Sequence, residues 1–221
     1  ISEPHIKTIY RIPLDLEKEG FGKKLLNKFN VQPKREPSWQ KFETLVKRIE
    51  SPKRKIKIAI IGKYIDIGNF TLLDSYISIN NALEHACAAL DVGVEIEWID
   101  SKKLEQGDIS SILSRYKGVI IPGGFGAVGI EGKINAIKFA RERNLPFLGL
   151  CYGLQLAVVE FARNVCNMNG AHTTEIDGKT KFPVIDILPA QKQVMKESRY
   201  GGTMRLGAYA AAMESSKVLE L

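Results

Sequence analysis

One short stretch of the sequence concentrates chemistry: Leu148-Gly149-Leu150-Cys151-Tyr152-Gly153-Leu154-Gln155. Glycine stands two residues before and two residues after the cysteine. This is the cysteine form of the G-x-S-x-G turn that lifts a nucleophile off the end of a buried strand. So sharp a turn leaves no room for side chains at the flanking positions. The helix that follows offers unpaired N–H groups and the positive end of its dipole to a thiolate. The backbone N–H of Tyr152 is then placed to donate to an oxyanion on an attacked carbonyl. The other two cysteines lack this setting. Cys87 lies amid Ala86, Ala88 and Ala89 and reads as core packing, and Cys166 follows a helix end and reads as structural.

A second stretch is built from glycine: Pro122-Gly-Gly-Phe-Gly-Ala-Val-Gly-Ile-Glu-Gly132. Gly124, Gly126 and Gly129 match the spacing of a dinucleotide fingerprint, but that fingerprint belongs to the first strand of a nucleotide-binding half, and this is the third. Nor is it a P-loop, because Ala127 replaces the first glycine and Ile134 follows Lys133. The glycines instead let backbone N–H groups approach a substrate closely. Gly124 is the expected second oxyanion donor, and the later glycines suit a mobile lid.

These stretches need elements to hold them. Ile56–Gly62 reads as a strand buried on both faces, 72–90 as a helix with Tyr76, Ile79, Leu83, Ala86 and Leu90 on one side, and Val94–Ile99 as a second strand. A short helix at 109–116, a strand at 118–122, a helix at 133–143, a strand at 146–150 and a helix at 154–165 follow, with further elements expected at 182–188 and from Gly201 to Tyr209. This alternation predicts an α/β fold, a doubly wound, mainly parallel sheet with flanking helices, whose sites lie beyond the carboxyl ends of the strands. Upstream, 6–13 reads as a strand, 15–29 as a charged helix, 31–37 as a linker, and 38–49 as a helix capped by Ser38.

Composition narrows the classes. The chain has 221 residues and a net charge of +7, but residues 1 to 57 hold 15 Lys and Arg against 7 Asp and Glu, whereas the rest hold 17 against 18. The basic excess is therefore local, a solvated linker face or a surface for phosphate or an acidic partner, and no nucleic-acid partner is expected. No apolar run suits a membrane span, and no signal-peptide core is present. Three cysteines without a C-x-x-C pair exclude a disulfide framework and a cysteine-rich zinc site, and point to a reducing, cytoplasmic setting. No metal ligands are assigned.

Together Pro122-Gly-Gly-Phe-Gly126 and Gly149-Leu-Cys-Tyr-Gly-Leu-Gln155 resemble the class I, triad-type glutamine amidotransferases. Gly62-Lys-Tyr64, Gly129-Ile-Glu-Gly132, Thr173-Thr-Glu175, Gly201-Gly-Thr-Met-Arg-Leu-Gly207 and Ile9-Tyr-Arg-Ile-Pro13 narrow the resemblance to the CTP synthase family. It implies a flavodoxin-like amidotransferase domain at 56–221, preceded by a synthetase-domain tail at 1–30 and an interdomain linker at 31–55. It also implies ATP- and Mg²⁺-dependent amination of UTP with ammonia from glutamine, GTP as activator, and a homo-oligomer of the dimer-built tetramer type. Carried onto this sequence, it makes Cys151 the nucleophile that forms a glutamyl thioester. Gly124 and Tyr152 become the oxyanion donors. Phe125, Gly153, Leu154, Gln155 and Glu175 become glutamine-binding positions, with the Glu175 carboxylate facing the substrate ammonium. Gly126, Gly129, Glu131 and Gly132 become the GTP-responsive lid, and Ile6 a backbone contact to adenine.

The sequence also departs from the family. Val128 stands where many members carry Arg, and Pro4-His5 where Lys-Asp is common. The family's His-x-Glu and its Arg-rich glutamine-binding stretch are not reached before Leu221, and the chain opens at Ile1 in mid-pattern, so flanking residues are expected beyond it. Of His5, His85 and His172, only His172 is near Glu175 in sequence. A 221-residue chain without its general base is expected to hydrolyse glutamine poorly, since base assistance is typically worth about 10² to 10⁴-fold. The competing expectations are a non-catalytic regulatory or scaffold module, and another elbow-cysteine protein of the same fold with a protease-like or glyoxalase-like site.

Overall fold

The computed structural model describes residues 6–35, 37–63, 66–67, 70–71, 76–124, 126–189 and 191–192. The expected element at Gly201–Tyr209 and the Gly201–Gly207 motif lie outside them, as do His5, Tyr64 and Phe125.

Four parallel strands form the central sheet: β1 (Lys55–Gly62), β4 (Gly93–Asp100), β5 (Gly118–Ile121) and β6 (Phe147–Gly149), in the order β4-β1-β5-β6. Two two-residue strands, β2 (Asp66–Ile67) and β3 (Phe70–Thr71), pair with each other beyond the end of β1. In β1 the run Ile-Lys-Ile-Ala-Ile-Ile is rich in β-branched residues, which suit a pleated strand packed on both faces. One face carries Ile58, Ile60 and Ile120, packed with Ile96, Trp98, and Ile79 and Leu83 of helix α4 (Ile77–Ala89). The other carries Ala59, Ile61, Val119 and Ile121 against Ile134 and Ile137 of α6 (Ile130–Glu142) and Leu156 and Val159 of α7 (Tyr152–Asn164). Chain progression steps from β1 outward to β4, then back across to β5 and β6. The reversal leaves a crevice at the carboxyl ends of β1 and β5, and the glycine loop and the cysteine turn both emerge there. The α/β doubly wound arrangement is the one expected from the sequence.

The N-terminal segment is not a strand. Residues Ile9–Arg11 form a 3₁₀ turn whose entry is capped by the Thr8 hydroxyl accepting from the Tyr10 N–H, and helix α1 (Ile12–Lys18) follows. Pro13 lies in the first turn of α1, where its missing N–H leaves no bond unmade. The single charged helix expected over 15–29 is two, α1 and α2 (Phe21–Lys28), split at Gly20 with φ +67°. Helix α3 (Gln40–Glu50) has Trp39, not Ser38, at its N-cap, without a side-chain cap bond. Leu90, expected on the buried side of α4, is its exposed C-cap, and Cys87 and Ala88 are buried instead. The short helix α5 (Ile109–Leu113) ends sooner than expected, and a 3₁₀ turn at Ser101–Leu104 and a short strand β7 (His172–Thr173), paired with β8 (Pro183–Ile185), were not legible in the sequence. Among the described residues no helix is long and apolar enough to cross a membrane.

Between α6 and α7 the Glu160 carboxylate, 1% exposed, accepts from both Nε and Nη2 of Arg141. Removing Arg141 would leave a buried carboxylate without its counter-charge, held by the Asn164 side-chain amide. Arg141→Met is therefore expected to lower stability by roughly 2 kcal/mol, between the ranges for exposed and buried pairs. Urea unfolding of the variant against the parent chain measures this; an unchanged midpoint would show that the pair is not what joins the two helices.

Candidate active site

Cys151 is the N-cap of α7 with φ +53° and ψ −108°, a backbone conformation that costs a non-glycine residue on the order of 1–3 kcal/mol. The packing around it enforces the strain. A Cβ on Gly153 would lie 2.1 Å from the carbonyl oxygen of Ile121, and one on Gly149 would lie 2.6 Å from the carbonyl carbon of Gly153. The end of β5, the end of β6 and the first turn of α7 thus meet through glycine alone. The thiol they raise is exposed, whereas Cys87 is buried and burial pushes its thiol up. Cys166 is exposed too, but on an ordinary helix exit.

The first turn of α7 is ordered by backbone bonds. Gly153 N–H donates to Leu150 O, and the N–H groups of Leu154 and Gln155 donate to Cys151 O. Tyr152 N–H opens the helix and has no backbone acceptor among the described residues. Its ring is buried and its hydroxyl has no partner among the described residues, and burial together with the Glu175 charge pushes that hydroxyl up to about 12. Leu154 is exposed and Gln155 half-buried.

Facing this turn is the glycine loop. The Cβ position of Gly123 lies 3.5 Å from Cys151 Cβ and 3.8 Å from its Sγ, so loop backbone covers one side of the sulfur. Gly126, with φ +78°, donates its N–H to Glu175 Oε1 at 3.4 Å. Glu175 itself sits in a turn whose N–H donates to the hydroxyl of buried Thr173. The structure therefore brings Cys151, Tyr152, Gly123, Gly124, Gly126 and Glu175 into one place.

Other singled-out residues go elsewhere. A Cβ on Gly129 would lie 2.0 Å from Ser101 Oγ, and one on Gly132 1.8 Å from Ser101 O, so these glycines let α6 dock on the Ser101–Leu104 turn. Close packing accounts for glycine at both positions. Glu131 is held by Arg163 Nη1 at 3.0 Å, and Arg163 Nε also donates to Ala171 O. Val128 is exposed in the loop. Ile6 is half-buried ahead of the first 3₁₀ turn, far along the chain from this crevice. His172 Nδ1 accepts from Thr173 N–H, and burial first, then the Arg163 charge, hold the ring below its ordinary value. His85 pairs with the Tyr10 hydroxyl, edge-on to its ring. Among the described residues no hydrogen bond or ring contact joins either histidine to Cys151. The described residues also hold no group of three or more His, Cys, Asp or Glu side chains fit for a metal.

Two lysines at the site were missed. Lys133 is 2% exposed, its Nζ 5.9 Å from the Tyr152 ring centroid and 3.8 Å from the Cβ position of Gly124. Lys63 Cε lies 3.8 Å from that same position, and its Nζ lies 3.6 Å from the Cβ position of Gly126. Burial, and then the charge of Lys63, bring Lys133 down to about 8. The signal was in the sequence: Lys133 falls on the face of α6 that carries Ile130, Ile134 and Ile137, where a cation has no ordinary place.

A scan of family descriptions matches residues 71–216 to "Glutamine amidotransferase class-I". The chain is 49% identical over 213 residues to the CTP synthase of Methanocaldococcus jannaschii, covering 94% of this chain and 38% of that protein. It is 47% identical over 209 residues to that of Thermococcus gammatolerans, covering 95% and 37%. Among solved structures it resembles the glutaminase domain of Trypanosoma brucei CTPS with bound acivicin, at 33% identity and a TM-score of 0.55, over 61% of this chain and 51% of that one. The chain thus spans less than two fifths of the length of these curated relatives.

Two outcomes follow from the packing and the charge. Gly153→Ala is expected to cost about 3 kcal/mol, because the new methyl meets a strand carbonyl rather than a movable side chain; urea unfolding checks it, and an unperturbed midpoint would mean the turn has room to relax. A lysine held near 8 in the folded chain takes up its proton in the unfolded one, so the Lys133 contribution to stability rises between pH of about 8 and the ordinary lysine value. Lys133→Met should therefore flatten that rise in melting experiments from pH 7 to 10, and an unchanged slope would contradict it.

Proposed function

The chain belongs to the class I glutamine amidotransferase family, and from that premise we propose that it is the glutamine-hydrolysing portion of a CTP synthase. The observation that carries the reading is an exposed cysteine held at φ +53° on the N-terminus of α7, facing the glycine loop and Glu175. Residues 1–30 are proposed as the tail of the synthetase domain, 31–55 as the linker, and 56–221 as amidotransferase domain.

In this proposal the Cys151 thiolate adds to the side-chain carbonyl carbon of glutamine, forming the C–S bond. The carbonyl π pair moves onto oxygen, and the resulting oxyanion lies between the N–H groups of Gly124 and Tyr152. The pair returns as the C–N bond breaks, and ammonia leaves with a proton supplied by a general acid. Water then cleaves the thioester, giving glutamate and the free thiol. Glu175, already aimed at the loop N–H of Gly126, meets the substrate ammonium. Leu154 and Gln155 present the first turn of α7 to the substrate, and Phe125 belongs to the same loop.

The amination of UTP, with ATP and Mg²⁺, and activation by GTP are proposed for the whole protein, as is assembly into a homo-oligomer. The described residues hold no group of three or more His, Cys, Asp or Glu side chains fit for a metal. Glu131 is committed to Arg163, and Gly129 and Gly132 to the Ser101 turn, so no step is derived through these groups.

The test is covalent labelling. Acivicin, the compound bound in the Trypanosoma structure, or a glutamine chloroketone should add once per chain, at Cys151, with protection by glutamine and no labelling of Cys151→Ala. Labelling spread over Cys87 and Cys166 without glutamine protection would sink the proposal. Because neither described histidine is joined to Cys151, the purified 221-residue chain is expected to release glutamate at least about 10²-fold more slowly than a base-assisted site; release at a fully assisted rate would contradict this.

A further inference from the structure

A cation in a protein core without compensating anions is a costly arrangement, and it needs a reason. Among the described residues Lys133 is such a cation: it is 2% exposed and no ion pair to it is found. Helix α6 is seated deeply because Gly129 and Gly132 admit Ser101 to van der Waals contact, and Lys133 follows Gly132 directly. Its side chain reaches the glycine loop at Gly124. The Cβ position of Gly123 lies 3.5 Å from Cys151 Cβ, and that of Gly124 lies 3.8 Å from Lys133 Nζ. The same ammonium lies over the ring of Tyr152, the residue whose N–H follows the sulfur. One buried charge thus lies beside both residues proposed to offer backbone N–H groups to an oxyanion, 3.8 Å from the Cβ position of Gly124 and 5.9 Å from the Tyr152 ring centroid.

Resting on the glutaminase reading above, we infer that Lys133 is a positioning residue for the oxyanion hole: its ammonium holds the Gly124 and Tyr152 backbones and lowers the energy of negative charge on the carbonyl oxygen between their N–H groups. A charge at one remove acts through little intervening water here, where electrostatic effects are strong. The groups facing it are Lys63, whose charge opposes it, the Tyr152 ring, and Glu175, whose charge acts on Tyr152. With Lys133 near 8 and Tyr152 near 12, only the lysine changes charge in the window from pH 7 to 9.5 among these two.

The experiment compares two reagents at Cys151. A glutamine chloroketone carries a carbonyl that the oxyanion hole polarises, whereas iodoacetamide alkylates the same sulfur without needing the hole. Their rate ratio cancels the thiolate fraction. The sites of modification are followed on the Cys151 peptide by mass spectrometry in the 221-residue chain. The ratio should fall about tenfold in Lys133→Met and be kept in Lys133→Arg, which preserves the charge. In the unsubstituted chain it should fall as pH rises through about 8, and it should be flat with pH in both variants. The fall with pH in the unsubstituted chain stands as a test even if a variant folds poorly, since it needs only the parent chain. A ratio that is independent of pH in the parent chain, or equal in Lys133→Met and Lys133→Arg, overturns the inference. If instead the chloroketone does not modify Cys151 at all while iodoacetamide does, it is the glutaminase reading that has failed.

Discussion

Everything at the site depends on how closely β5, β6 and α7 approach one another. Gly153 rests on the Ile121 carbonyl and Gly149 on the Gly153 carbonyl, at separations that no side chain permits. That contact forces the chain to reverse within one residue, and the residue at the reversal is Cys151, in a backbone conformation L-residues avoid. The strain is sustained because the turn is clamped on one side by buried strands and on the other by Leu156 and Val159 of α7, both fully buried. A looser junction would relax φ, lower the sulfur toward the sheet and turn it away from the first N–H groups of the helix.

The same economy of side chains recurs one layer out. Gly129 and Gly132 seat α6 on the Ser101–Leu104 turn, and the depth of that seating decides where Lys133 ends. The sulfur, the loop and helix amides beside it, a carboxylate from the β7 turn and two ammonium groups from β1's end and α6 therefore converge on the crevice that the strand order opens. In the proposed reaction the Glu175 carboxylate meets the substrate ammonium and the lysine charges lie on the oxyanion's side. Across the opposite flank of α7, the Arg141–Glu160 and Arg163–Glu131 pairs fix its orientation relative to α6.

The sheet was legible because its strands are continuous β-branched runs separated by helical periodicity, and the cysteine turn because its glycines have a steric cause that spacing alone reveals. Segment 6–13 was not: its apolar residues at 6, 9 and 12 are spaced for a helix as well as for a strand, and Pro13 and Thr8 decide the matter through capping. Why Gly129 and Gly132 must be glycine was not legible, because a sequence does not show what a glycine faces. Lys133 and Lys63 were missed because a lysine is ordinarily solvated; only its place on the apolar face of α6 marks the former, and nothing local marks the latter as a neighbour of Gly124 and Gly126.

The central claim is that Cys151 forms a glutamyl thioester in this crevice. The most direct measurement mixes the chain with γ-glutamyl p-nitrophenyl ester, whose leaving group departs without a proton, and examines acid-quenched protein by mass spectrometry. One γ-glutamyl group per chain, on the peptide holding Cys151 and suppressed by glutamine, is the result predicted. Acylation of Cys166 at an equal rate, or acylation that glutamine does not suppress, would contradict the account.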